Sequence, residues 1–151
     1  MGNLAKIPEF DKVFWKKLGD EICDEIRVQT QVNSKDVNDD EFEEYSDGYA
    51  DRKPKIRRGS GSGSKVNLTL TGDMMRNLQT RGFSKDSVII GWNGVDAQKI
   101  QYNEEMGRAV TTKGRPLSKG SLRLIEIETN KRIKRNAEKE TAKPINFKIG
   151  K

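Results

Sequence analysis

The stretch VNLTLTGDMMRNL, residues 66–78, constrains the fold more than any other part of the chain. Val66, Leu68 and Leu70 alternate with Asn67, Thr69 and Thr71, the period-2 pattern of a strand with one buried and one solvated face. Gly72 breaks the run. Thr71 or Asp73 then offers a side-chain oxygen to the free N–H groups of a following helix, whose apolar stripe is Met74, Met75 and Leu78. A strand passing into a helix within a few residues points to an α+β fold.

The rest of the chain supplies the elements around this unit. After Pro8, Phe10, Val13, Phe14, Leu18, Ile22 and Ile26 recur at spacings of three and four, the longest helical signal present, with Gly19 weakening it by about 1 kcal/mol relative to alanine. Ser46 is positioned to cap a short helix reaching Lys53, which Pro54 should stop. Val88, Ile89 and Ile90 read as a strand covered on both faces. Asp96 opens a helix through Ile100, Tyr102 and Met106 to a terminal Gly107. Ser118, or alternatively Ser121, can cap a last helix running to about Ala137, with Leu122, Ile125, Thr129 and Ile133 on its inner face.

The expected architecture is a single domain over residues 1–151: a small, antiparallel-rich sheet packed against a long N-terminal helix and a C-terminal helix. Extended loops complete it, namely an acidic loop (residues 33–47) anchored by Val37, Phe42 and Tyr45, and a flexible Gly/Ser loop (residues 59–64). Phe14, Leu68, Leu70, Leu78, Ile90 and Leu122 form the expected core. Residues 138–151 read as a C-terminal arm, in which Ile145, Phe147 and Ile149 alternate and could add a strand to a neighbour's sheet.

Hydrophobic residues are only 32% of the chain and charged residues 34%, so a self-sufficient core is thin and contact with other subunits would complete it. The net charge of +6 is unevenly distributed. Residues 36–47 hold seven carboxylates and no basic residue, and Arg52, Lys53, Lys55, Arg57 and Arg58 follow. A nucleic-acid binder usually concentrates positive charge without so dense an acidic neighbour, so pairing between subunits is at least as good a use, the alternative being that the two blocks neutralise each other across the turn within one subunit. The candidate interface residues are Asp39, Asp40, Glu43, Glu44, Arg52, Lys53, Arg57, Arg58, Ile145 and Phe147.

Several chemistries are disfavoured. Cys23 is the single cysteine and there is no histidine, which removes an internal disulfide and a Cys/His zinc site. Asp36, Asn38 and Asp40 imitate the start of a calcium loop, but Glu41 stands where glycine is required and Asp47 where a bidentate glutamate is required. The GSGSGS run fails as a phosphate loop, because no glycine precedes Lys65 and the strand follows the loop instead of leading into it. The acidic block has no rigid element to orient a two-metal site. No cofactor and no catalytic residue are expected. No apolar run approaches the length of a membrane span, so a soluble protein made in the cytoplasm is expected.

Five segments occur in a telling order: Tyr49-Ala50-Asp51-Arg52-Lys53, residues 68–78, residues 88–91, residues 102–107 and Arg115-Pro116. Together they resemble the tailed-bacteriophage family of virion-morphogenesis, tail-completion and head–tail joining (neck) proteins, over roughly residues 42–135. Departures are the acidic approach to Tyr49, the lengthened Gly/Ser loop, and Leu117 where family members often carry Phe. The resemblance implies a structural subunit of a homo-oligomeric ring, hexameric or alternatively dodecameric. Such a ring would join or complete head and tail beside portal, connector and tail-tube or terminator proteins, with packaged DNA passing through it. It also implies a place in the virion neck after assembly in the host cytoplasm. The alternative is a basic DNA-binding protein acting on phage DNA.

Overall fold

A computed structural model describes residues 10–56, 66–68 and 73–141. Its organising element is α1 (Lys12–Arg27), begun by Asp11, whose Oδ1 accepts the Phe14 N–H at 2.8 Å. This cap satisfies one of the free donors of the first turn, and the helix starts there, several residues after Pro8. Leu18, Ile22, Cys23 and Ile26 face inward, whereas Val13 is 76% exposed, so the buried stripe is narrower than the periodicity suggested. The helix passes into a π-helical turn (Val28–Val32) that turns Gln29 and Thr30 inward.

The sheet is a hairpin of β1 (Gln79–Phe83) and β2 (Val88–Gly91), antiparallel, with Thr80 opposite Ile90 and Phe83 opposite Val88. A register shift between Thr80 and Gly82 leaves Arg81 as the extra residue of a bulge. Its guanidinium bonds the carbonyls of Gly91 (3.1 Å) and Asn77 (2.8 Å). Gly19 makes the seating on α1 possible: a Cβ there would lie 2.6 Å from Val88 Cγ2 and 2.7 Å from Thr80 Oγ1. Both are short branched side chains fixed in the hairpin, and Thr80 Oγ1 also donates to Asp20 Oδ1 at 2.8 Å. The glycine thus marks the closest approach of helix and sheet.

This arrangement corrects the described part, residues 66–68, of the strand expected at 66–71; residues 69–71 lie outside the described residues. Residues 66–68 are not extended into a sheet; Leu68 has φ +48°, a left-handed backbone that ends an extended run. The following helix, α3 (Asp73–Arg76), is a single turn. Leu70 lies outside the described residues. β2 is covered on one side only, with Ile89 64% exposed. An earlier helix, α2 (Asp47–Ile56), continues past Pro54, which lacks only an N–H near the end of the helix, where one lost bond does not stop it.

After α4 (Gly94–Glu105), which follows Asn93 as its N-cap and ends before Gly107 at φ +75°, the chain enters α5 (Lys119–Thr141). Ser118 Oγ accepts the Ser121 N–H at 3.2 Å and opens the helix. Glu128 meets Lys17 at 3.4 Å and Arg132 meets Asp11 at 2.6 Å, so α5 lies antiparallel to α1. The inner face therefore carries Ser121, Leu124, Ile125, Glu128 and Arg132. Leu122, expected in the core, is 53% exposed and Ile133 42%: the helix turns that stripe to solvent and presents its smaller, partly polar face to α1. The helix also extends to Thr141, into the segment expected to be an arm.

The core joins Leu18, Ile22, Cys23, Ile26, Met74, Met75, Leu78, Ile100 and Val110, with Phe14, Leu68, Ile90 and Trp92 half-buried against it. Arg27 ties α1 to the connection into β1 by donating to the carbonyls of Met75 (3.0 Å) and Leu78. Trp92 Nε1 bonds Met74 O at 2.9 Å, closing the same corner from the sheet side.

Two substitution pairs test this packing by denaturant unfolding. Gly19→Ala should destabilise by about 1–3 kcal/mol despite alanine's better helix propensity, because the added carbon overpacks the α1–hairpin contact. Gly48→Ala, with open space around it in α2, should be neutral or stabilising. Leu78→Ala should cost about 2–5 kcal/mol, and Leu122→Ala no more than about 0.5 kcal/mol. Equal costs within either pair would contradict the packing described.

Candidate assembly surfaces

The acidic loop folds on itself around Asp36. Its Oδ1 accepts the N–H groups of Asn38 (2.7 Å) and Asp40 (3.0 Å), and its own N–H reaches Asp40 O at 2.8 Å. Lys35 and Glu41 pair across the loop, and Phe42 N–H bonds Ser34 O at 3.0 Å. Buried Val37 and Phe42 pin it to the body, where Val37 N–H bonds Ala109 O at 2.9 Å. Gln29, turned inward by the π-helical turn, donates to Asp36 O from beneath. Asp36 thus spends its carboxylate on the loop's own backbone, while Asp40, Glu43 and Glu44 point to solvent. Among the described residues no carboxylate from Asp39 to Asp47 forms an ion pair.

The basic segment beyond this loop divides. Arg52 is exposed and bonds Gly48 O at 2.8 Å. Lys53, expected on a subunit interface, is instead 2% exposed, its Nζ donating to Asn67 Oδ1 and lying 4.7 Å from the centre of the Tyr45 ring. Arg108 approaches the same ring at 5.3 Å, and Tyr49 packs at 4.8 Å. Such cation–ring contacts offset part of the cost of removing the charge from water. Burial lowers the Lys53 pKa below its ordinary 10.5 and raises that of Tyr45. The lysine penalty is therefore carried at neutral pH and relieved only as pH rises from the lowered value through 10.5. Tyr45, Tyr49 and Lys53 recur every fourth residue, a helical-face signal that could have revealed the inward lysine. Arg57, Arg58, Ile145 and Phe147 lie outside the described residues, as does the Gly/Ser run.

A basic region absent from the expected interface lies at the start of α1, where it meets α5. Glu128 bridges Lys131 (2.5 Å) and Lys17 (3.4 Å), and hydrogen bonding from Lys131 and Lys17 lowers its pKa. Arg132 pairs with Asp11, whose pKa is lowered first by the Phe14 N–H and then by Arg132. Lys12, Lys134 and Arg135 have no carboxylate partner among the described residues. Helical spacing places 131, 134 and 135 together, a signal present in the sequence.

Apolar side chains are also exposed on several elements. On α4, Val95 (67%), Tyr102 (61%) and Met106 (48%) share one stripe. Leu122 and Ile133 form another on α5, Ile89 stands on the open face of the hairpin, and Val13 faces Phe83 across a groove between α1 and β1.

Among the described residues no group of three side chains suited to a metal ion occurs, and no helix is long and apolar enough to cross a membrane. Cys23 is 2% exposed, and burial pushes its thiol up to about 11. A nucleophilic thiol needs the opposite environment. Native protein should resist an aromatic disulfide reagent at neutral pH and react fully once denatured; rapid labelling of the native chain would contradict this burial.

No protein-family model matches the chain, nor does any curated protein or solved structure.

Proposed function

We propose that the chain is a structural subunit of a tailed-phage neck, closing a homo-oligomeric ring that joins or completes head and tail, with packaged DNA passing through it. The observation that carries this reading is the apolar surface left on α4, α5 and the hairpin of so thinly cored a chain. A ring subunit needs two different faces, each meeting the other on the next copy, and large exposed apolar stripes mark contact sites. The ordered resemblance to neck proteins supplies the biological setting. Six copies suit the reading best, with twelve the alternative; portal, connector and tail-tube or terminator proteins are the neighbours above and below.

The DNA-binding alternative has one observation in its favour, the cations Lys12, Lys134 and Arg135, which form no ion pair among the described residues. Asp11, Glu21 and Glu128 confine them to a small patch, short of the continuous positive track that a duplex phosphate backbone neutralises.

Native mass spectrometry of the purified chain tests the proposal. The expected result is a closed, discrete oligomer. Tyr102→Ser with Met106→Ser should reduce it while changing monomer stability by no more than about 0.5 kcal/mol. A discrete oligomer untouched by this pair removes α4 from the interface, and an open-ended ladder of sizes contradicts ring closure.

A further inference from the structure

The acidic loop and the basic end of the α1–α5 pair lie at opposite ends of one rigid helix. α1 has 16 residues, about 24 Å of helix axis, with Asp11 and Arg132 at its start and the π-helical turn that supports the acidic loop beyond its finish. At the near end, Val13, Phe14, Lys17, Glu21, Glu128 and Arg135 line a shallow groove between the helices. Lys12 precedes it on α1, and Lys134 stands on α5 beside Arg135. At the far end Asp40, Glu43 and Glu44 are exposed. Asp40, Glu43 and Glu44 at one end and Lys12, Lys134 and Arg135 at the other form no ion pair among the described residues.

We propose that this groove receives the acidic loop of a second copy, so that subunits associate head to tail through Asp40, Glu43 and Glu44 of one and Lys12, Lys134 and Arg135 of the next. The inference rests on the ring reading and names which surfaces meet; it moves the cationic partner away from the segment containing buried Lys53. Two unlike ends make the contact heterologous, and like ends repel, which suppresses the two-fold alternative. The loop is suited to insertion because its backbone is already fixed around Asp36, so little ordering accompanies docking. Exposed ion pairs are individually weak, so the charges select the register while Val13 and neighbouring apolar atoms contribute contact area. Arg132 Nε, buried at the groove without a hydrogen-bond partner among the described residues, is a further donor there.

The test uses two full-length double variants, E43K/E44K and K134E/R135E, in sedimentation velocity at low salt. All four positions are exposed, and wild-type melting temperatures are expected. Each variant alone should self-associate about tenfold more weakly than wild type, since charge attraction of about 1.4 kcal/mol corresponds to that factor. Mixed in equal amounts, the two should recover association, because the lysine loop of one matches the glutamate groove of the other. Raised salt should weaken the wild-type assembly. Variants that assemble alone as wild type does, or a mixture no better than its components, overturn the docking while leaving the ring reading intact. Loss of binding to a short duplex DNA in K134E/R135E with unchanged self-association overturns it in favour of nucleic acid. A wild-type chain monomeric at every salt concentration overturns both.

Discussion

The contact of Gly19 with Thr80 and Val88 is the constraint on which the remaining architecture depends. A two-stranded hairpin is marginal by itself in water, and this one gains its stability by lying against α1. Gly19 has no side chain, so the strands approach the helix axis closely enough to bury Ile90 and to let Thr80 bond Asp20. Arg27 fixes the other end of the same contact through the carbonyls of Met75 and Leu78. Helix α5 then completes the layer along α1, joined by Lys17, Glu128, Asp11 and Arg132 more than by large apolar residues.

That economy explains what the amino-acid order made legible. The N-terminal helix, the Ser118 cap and the Gly107 stop depend on local periodicity or on one turn of backbone, and all are readable. So is the α+β class, although from the wrong strand. QTRGF carries no apolar alternation and becomes β1 because β2 and Gly19 accept it, whereas the alternating run before it includes a left-handed Leu68. α5 has two stripes compatible with a buried face. Only the position of α1 decides that Ser121 and Ile125 turn inward and Leu122 outward, and a tertiary choice of that kind leaves no local trace.

The candidate surfaces show the same division. The exposure of Asp40, Glu43 and Glu44 follows from a dense run of like charge. The burial of Lys53 does not follow from charge at all, but from Tyr45, Tyr49 and Asn67 arranged around it. The basic groove requires two helices distant in sequence, since Lys12 and Lys134 are brought together only by the antiparallel docking of α5 on α1. The cations that lie at the other end of α1 from the acidic loop are Lys12, Lys134 and Arg135, distant in sequence from it, and not the neighbouring segment that holds Lys53.

We propose that such a chain, with apolar stripes left exposed on α4 and α5, is completed by its neighbours in a ring. Cryo-EM of the purified chain incubated with portal-bearing heads and tail tubes addresses that claim most directly. The account predicts a closed ring of copies at the head–tail joint, each meeting the next through unlike faces, with an axial channel wide enough for DNA. Joints that form without the chain, or density for a single isolated copy, would contradict it.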